Sequence, residues 1–171
     1  GTMKYFNIGT YEGEWENNKK NGRGTMTYDN GDKYIGWWRD EHRNRQGTMV
    51  YNNRDEYEGQ WSDDMRNGEG TMKYNTSDIY TGGWVDNMRS GQGSMSYANG
   101  EKYEGQWAVD KKNGRGIMVY KNGDKYSGGW TDDCKSGQGT MKYVAVLATG
   151  MNANNQAGFL SLSVMEATYE G

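Results

Sequence analysis

The chain has 171 residues, and 33% of them are hydrophobic, below the roughly 45–50% of ordinary globular domains, which excludes a thick two-layer core. Disordered chains are poor in aromatic residues, so 14 Tyr and 7 Trp indicate rings that pack in an ordered fold. A net charge of −3 excludes a global basic field for nucleic acid, and a single Cys excludes an intramolecular disulfide and fits a reducing, cytoplasmic compartment.

From residue 1 to residue 143 one pattern recurs every 23 residues, without insertion or deletion. It contains the pentapeptide Tyr-x-Gly-x-Trp, followed by a second segment that ends in Met-x-Tyr. The Tyr and Trp of the six pentapeptides are Tyr11/Trp15, Tyr34/Trp38, Tyr57/Trp61, Tyr80/Trp84, Tyr103/Trp107 and Tyr126/Trp130. A fixed period of this length indicates a solenoid, in which each unit packs on its neighbours.

Within each repeat the side chains alternate with a period of two, which predicts short strands. In residues 11–15 Tyr, Gly and Trp share one face, and in residues 24–28 Gly, Met and Tyr do so. Residues 29–33, 98–102 and 121–125 contain Asn-Gly, the strongest short hairpin signal. No segment has helical spacing. The sequence therefore predicts an all-β fold, a single-layer antiparallel meander of about twelve strands, two per repeat.

Two details of this meander are also predicted. The pentapeptide Gly lacks a side chain on the aromatic face, so we expect rings to lie over the backbone there, with Tyr on Tyr and Trp on Trp along the axis. Residues 52–56 and 75–79 lack Asn-Gly, so we expect turns of a different type there. The segments between the strands of one repeat, such as 16–23, are expected to be longer joints.

The repeat stops at residue 144, so we divide the chain into a repeat domain, 1–143, and a tail, 144–171. Two apolar runs, 144–148 and 159–164, flank a polar segment, which suggests a hairpin. We favour a hairpin that caps the last apolar face of the solenoid. The alternatives are a segment for a partner or a dimer, and an artefact of the gene model.

These residues resemble the MORN (membrane occupation and recognition nexus) repeat: Tyr-x-Gly-x-Trp, a loop with Gly-x-Gly, then a strand that ends in Tyr, with Asn-Gly before the next Tyr. Residues 11–33 match along their whole length, and the resemblance covers 1–143, with an incomplete sixth repeat. Arg45 departs from the pattern because it replaces the loop Gly of the second repeat. The resemblance implies a non-catalytic module in scaffolding, membrane-junction or cytoskeletal assembly, without a cofactor. It also implies a groove for an extended or helical partner segment, phosphoinositide binding as a proposed activity, and dimerisation in several members.

The aromatic face is the first candidate site, because a single-layer sheet has no second layer to cover it. An exposed ribbon of Tyr, Trp and Met has the composition of interaction hot spots, although the rings are also needed to hold the solenoid together. Trp37 lies beside Trp38 but faces the opposite side, as an extra exposed aromatic. The predicted partner-binding groove residues are Tyr34, Trp38, Tyr57, Trp61, Tyr80, Trp84, Tyr103 and Trp107.

A basic ladder, one residue per repeat in the longer joints, is the second candidate site. Its members are Lys20, Arg43, Arg66, Arg89, Lys112 and Lys135. Six cations could contact anionic lipid or an acidic partner, at about 1 kcal/mol each near an anionic membrane. Neighbouring carboxylates, such as Asp63 and Asp86, offset them and favour a solvated edge instead.

An acidic ladder in the short turns is better explained by turn hydrogen bonding than by calcium binding. It consists of Asp32, Asp55, Asp78, Glu101 and Asp124. His42 and Cys134 lie four repeats apart, which excludes a catalytic pair. We find no pattern for catalysis, metal or nucleotide binding, and no stretch near the roughly 20 apolar residues of a membrane span.

The sequence thus predicts a non-enzymatic module for protein–protein interaction or scaffolding that binds a peptide or helix segment. One alternative is a peripheral module that binds anionic phospholipid through the basic ladder. Another is a regulatory region of a larger enzyme. A homodimer could form through the edge strand at 1–5 or through the tail. The predicted location is cytoplasmic, with membrane or cytoskeletal association as a further option.

Overall fold

The computed structural model describes residues 1–147 and 161–170. These residues form fourteen β-strands and, in the ranges described, no helix. The strands are β1 (Thr2–Tyr5), β2 (Gly9–Glu16), β3 (Lys19–Tyr28), β4 (Lys33–Arg39), β5 (His42–Val50), β6 (Glu56–Ser62), β7 (Met65–Lys73), β8 (Ile79–Val85), β9 (Met88–Ser96), β10 (Lys102–Ala108), β11 (Lys111–Val119), β12 (Lys125–Thr131), β13 (Cys134–Leu147) and β14 (Ser161–Glu170).

The strands form one sheet in which spatial order follows chain order from β1 to β14, and every neighbouring pair is antiparallel. This confirms the predicted single-sheet meander. The register repeats as well: Met26 on β3 lies opposite Tyr11 on β2 and opposite Tyr34 on β4. The 23-residue period therefore keeps the same strand register in every repeat. As a result, Tyr and Met alternate in a line across the sheet.

The buried core lies on the face that carries these residues, which we call the ring face. Its members are Tyr11, Met26, Tyr34, Trp38, Met49, Tyr57, Trp61, Met72, Tyr80, Trp84, Met95, Tyr103, Trp107, Met118, Tyr126 and Trp130. A β-bulge between the pentapeptide Gly and Trp recurs along the sheet, for example between Gly59 and Trp61. Bulges strengthen strand twist and bend the strand that carries them.

Paired glycines form a second line across the sheet, beside the tyrosines. Gly13 lies opposite Gly24, and a Cβ on Gly13 would lie 2.5 Å from the Cα of Gly24 and 2.5 Å from the Tyr11 hydroxyl. A Cβ on Gly24 would clash with the Tyr11 ring itself. The prediction that these glycines let rings lie over the backbone is confirmed.

At one edge of the sheet the strands of each repeat are joined by two-residue turns. In the first, Asn17 and Asn18 have φ of 49° and 60°, and strand pairing closes directly on both sides of them. Positive φ at both central residues is the type I′ pattern, which matches the twist of the flanking strands. The expectation of a longer joint over 16–23 is wrong, because β3 already begins at Lys19 and Gly22 lies inside that strand.

At the opposite edge, short turns of four or five residues join successive repeats. Gly31 has φ of 94° and donates its N–H to the Tyr28 carbonyl. Arg54 and Ser77 stand at the equivalent place, each with φ of 73°, and donate the same bond to Tyr51 and Tyr74. The expectation of a different turn type at 52–56 and 75–79 is wrong, because Arg and Ser adopt the left-handed conformation that Gly has elsewhere.

At the C-terminal end, β13 continues across the predicted boundary at residue 144 and pairs with β14, with Tyr143 opposite Met165. The Tyr169 ring packs edge-to-face on Tyr126 at 5.7 Å, where earlier repeats place a Trp. The last Tyr of the ladder is thereby covered. Residues 148–160 lie outside the described part of the chain, and with them the predicted polar segment and the start of the second apolar run.

Candidate interaction surface

The rings of the ring face alternate Tyr and Trp along the sheet. The centroid of the Tyr34 ring lies 5.1 Å from that of Trp38 in its own repeat and 5.4 Å from that of Trp61 in the next, both edge-to-face. Edge-to-face packing brings the positive edge of one ring to the negative face of another. The expected Tyr-on-Tyr and Trp-on-Trp stacking is therefore wrong for the repeats, where Tyr packs on Trp.

The polar atoms of these rings are bonded to the backbone. The Tyr57 hydroxyl donates to the Gln60 carbonyl at 2.9 Å, and the Trp61 indole N–H donates to the Gly47 carbonyl at 3.1 Å. Burial raises the pKa of Tyr57 and raises that of Tyr103 to about 12. The hydroxyls consequently stay protonated at ordinary pH and remain hydrogen-bond donors.

The eight predicted groove residues all lie in this core, with 0–4% of their surface exposed. They are Tyr34, Trp38, Tyr57, Trp61, Tyr80, Trp84, Tyr103 and Trp107. The expectation of an exposed aromatic ribbon is wrong, because each ring is covered by its neighbours and by a basic side chain. Direct contact of these eight rings with a partner stays a prediction, and it would require the covering side chains to move.

The basic ladder supplies that cover. Its members lie on strands rather than in loops, and each reaches over an aromatic ring, as Arg43 does over Trp61 at 4.6 Å and Arg66 over Trp84 at 4.4 Å. The other members are Lys20 over Trp38, Arg89 over Trp107, Lys112 over Trp130 and Lys135 over Tyr126. Cations favour the negative ring face, and their aliphatic stems shield it from water.

Most ladder cations also pair with an acid of the next repeat. The Arg43 Nε lies 2.9 Å from Asp64 Oδ1, and the Arg89 Nε lies 3.0 Å from Asp110 Oδ1. Arg66 differs, because Asn87 stands in the place of the carboxylate and the Arg66 Nε is buried without a hydrogen-bond partner. Two arginines that pair with a carboxylate therefore flank one that has no acidic partner in the residues described.

The acidic ladder fastens neighbouring turns, which confirms a role in turn hydrogen bonding. Asp55 Oδ1 accepts the N–H of Asn75, in the next short turn, at 2.8 Å. Asp32, Asp78 and Asp124 accept equivalent bonds, whereas Glu101 accepts none in the described chain. Within the same residues no group of His, Cys, Asp and Glu could hold a metal ion.

The face opposite the rings, which we call the open face, carries a groove that the sequence analysis missed. Its floor is the bare backbone of the paired glycines, and we name it the glycine groove. One recess of about 430 Å³ includes Ile35, Gly36, Trp37 and Thr48. A second, of about 410 Å³, shares Gln46 and Glu58 with the first, and a third of about 610 Å³ follows over repeats four to six. The sequence pattern gave no signal for this groove, because the side chains that the glycines lack would face the rings on the other side of the sheet.

Trp37 is the one tryptophan on the open face among the described residues, and it is half-buried rather than exposed. The Arg23 guanidinium lies 5.3 Å from the centre of its ring and the Arg45 guanidinium 5.4 Å. Arg23 is on β3 and Arg45 on β5, so the two strands beside Trp37 each contribute one cation.

The MORN repeat profile matches residues 11–33, 57–79, 80–102, 103–125 and 126–144, which is more than half of the chain. The chain belongs to the MORN repeat family. MORN repeats are non-enzymatic and are generally interaction modules. The second repeat of this MORN protein, 34–56, lies between the matched segments and carries both Trp37 and Arg45.

Comparison with curated proteins gives no match. Among solved structures, the chain is similar to the SAS-4 (dCPAP) TCP domain of Drosophila melanogaster, in complex with a proline-rich motif of Ana2 (dSTIL). The TM-score is 0.47 at 17% identity, over 84% of this chain and 83% of that one. In the described residues no helix is long and apolar enough to cross a membrane.

Proposed function

We propose that this MORN protein binds a peptide-like segment of a protein partner along the glycine groove and acts as a non-catalytic scaffold. The observation that carries the proposal is the run of recesses over the paired glycines, where bare backbone forms the floor. A floor without side chains admits a partner backbone or helix closely, while the polar walls supply hydrogen-bonding groups.

The ring face supports this assignment by its construction. Its aromatic residues are buried and its cations lie over the rings, so that face holds the sheet together. Four of the six ladder cations pair with carboxylates, which leaves phospholipid binding through the ladder without a favouring observation. Dimerisation through an outer edge strand, and attachment to a larger enzyme, stay predictions.

The test uses a variant in which larger side chains fill part of the glycine groove. Peptides are selected from a displayed random library on the wild-type protein, synthesised, and titrated by fluorescence anisotropy against Thr48→Trp/Thr81→Trp. These two threonines line the first and second recesses. The matched control is Thr76→Trp, an exposed residue in a short turn outside the groove.

We expect the double variant to weaken binding at least about tenfold, because each indole occupies space that the peptide needs. The control is expected to bind as the wild type does. Thermal unfolding of all three proteins shows whether they fold alike. Failure to enrich any peptide, or equal binding by the double variant, would contradict the proposed function.

A further inference from the structure

Departures from the repeat meet at one place on the open face. The position of Trp37 is held in the other repeats by Glu14, Gln60, Gly83, Gln106 and Gly129. The position of Arg45 is Gly in all five other repeats: Gly22, Gly68, Gly91, Gly114 and Gly137. Trp37 and Arg45 are thus each unique at their positions, and the structure places their side chains against one another.

The two departures are physically coupled. In the third repeat Gln60 folds over Gly68 and accepts the N–H of Glu69 at 3.0 Å, and a Cβ on Gly68 would clash with it. An indole cannot accept that bond, so Trp37 leaves the space over position 45 to another side chain. Arg45 fills that space even though its φ of 55° is a conformation that favours Gly. Backbone strain of this kind clusters at functional sites.

In the part of the chain that the structure describes, no ion pair neutralises the charge of this cluster. Neither Arg23 nor Arg45 pairs with a carboxylate within the described residues, in contrast to Arg43 and Arg89 on the ring face. Both arginines are exposed; Arg23 lines the recess of about 430 Å³ together with Trp37, and Arg45 lies against the Trp37 ring. Two acids of this face are nearby without an ion pair to either arginine in the described residues: Glu14 stands against Gly22, and Glu58 lines the same recess from β6, two strands from Trp37.

We propose that Arg23, Trp37 and Arg45 bind an acidic segment of the protein partner. One carboxylate of that segment meets the guanidinium groups, and a neighbouring apolar side chain packs in the recess against Trp37 and Ile35. Arginine forks match carboxylate oxygens in pairs, and Trp and Arg are both among the residues enriched in binding hot spots. This inference rests on the proposed function, because it names the partner chemistry of the same groove.

The experiment returns the cluster to residues that the chain itself uses. Arg23→Gln/Trp37→Gln/Arg45→Gly carries the residues found at Gln46, Gln60 and Gly68, and should fold, which thermal unfolding checks. Arg23→Gln alone, at an exposed strand position, is a second variant that does not depend on the triple one. The control is Arg54→Gln, an exposed arginine in a short turn outside the groove.

The probes are the peptides selected on the wild-type protein, together with copies in which each Asp or Glu is replaced by Asn or Gln. We expect the selected peptides to be rich in Asp and Glu beside an apolar residue. The triple variant should bind these peptides at least about tenfold more weakly than the wild type does. The wild type should bind the neutral copies more weakly by a similar factor, because charge-assisted bonds are lost in both cases. Added salt should weaken binding, and Arg54→Gln should bind as the wild type does.

Selected peptides without acidic residues, or full binding by the triple variant and by Arg23→Gln, would overturn this inference. If Thr48→Trp/Thr81→Trp still blocks those peptides, the glycine groove keeps its proposed function and only the acidic chemistry is wrong. If that groove-filling variant does not block them, the proposed function itself fails.

Discussion

The sharpest stability prediction concerns Gly70, which lies under the ring of Tyr57. A Cβ at this position would lie 2.6 Å from two carbons of that ring. Tyr57 is fully buried, lies 5.2 Å from Trp61 and 5.3 Å from Trp84, and bonds to the Gln60 carbonyl. Gly70→Ser must therefore displace a ring that has no free space to enter.

The expected cost follows from what the displaced ring loses. Overpacking costs about 1–3 kcal/mol, the buried hydrogen bond about 1 kcal/mol, and each edge-to-face contact about 0.5–1.5 kcal/mol. We expect Gly70→Ser to destabilise the protein by about 3–7 kcal/mol, a large share of the 5–15 kcal/mol typical of a domain. Because repeats contact only their neighbours, the loss should concentrate in β6 to β8.

The assay is urea unfolding followed by tryptophan fluorescence, with hydrogen exchange to locate the loss. The control makes the same change at Gly100, where φ is 92° and no heavy atom lies within 4 Å of an added Cβ. Ser77 already occupies the equivalent turn, so Gly100→Ser should cost about 1 kcal/mol or less. Equal destabilisation by the two changes would refute the reasoning from ring contact.

Three further predictions follow from the hydrogen bonds and charges. Asn87→Asp should raise the free energy of unfolding by about 1 kcal/mol in urea titrations, because Arg66 gains a carboxylate; a decrease would contradict this. Asp55→Ala should lower it by about 1–2 kcal/mol, because the bonds to Asn53 and to the next turn are lost, while Glu101→Ala changes it little. Equal losses of unfolding free energy in the two variants would contradict the proposed role of Asp55 in linking neighbouring turns. Burial raises the pKa of the Tyr103 hydroxyl to about 12, so stability should hold up to the unfolded pKa of about 10 and fall from there toward 12. Unfolding against pH, with tyrosinate absorbance, checks this, and stability that stays level or rises over that range would contradict it.

Most of the fold could be predicted from the 23-residue period of the sequence. Because each repeat pairs only with its neighbours, the 23-residue spacing translates directly into strand order and register, and the glycine beside each Tyr signals a ring over the backbone. The turns were harder to predict. Arg54 and Ser77 adopt a φ that propensity assigns to Gly, and Asn21-Gly22 gives a strong turn signal inside β3.

The candidate site was only partly predictable. Alternation shows that Trp38 and Tyr34 share a face, but not that bulges and basic side chains enclose that face. The glycine groove was missed because its floor has no side chains, and a pattern of side chains cannot reveal it. Trp37 was recognised because it breaks the repeat, and Arg45 for the same reason, yet only the structure brings them together. A cytoplasmic location stays a prediction from the single Cys.

The most direct test of the account asks which face of the sheet a bound peptide touches. A photo-crosslinking amino acid is placed at Thr71, on the groove wall, and separately at Tyr74, which packs on the core of the ring face three residues later. With a peptide selected on the wild-type protein, we predict crosslinks from position 71 and none from position 74. Crosslinks from position 74 alone would show that the ring face is the docking surface and would contradict the account.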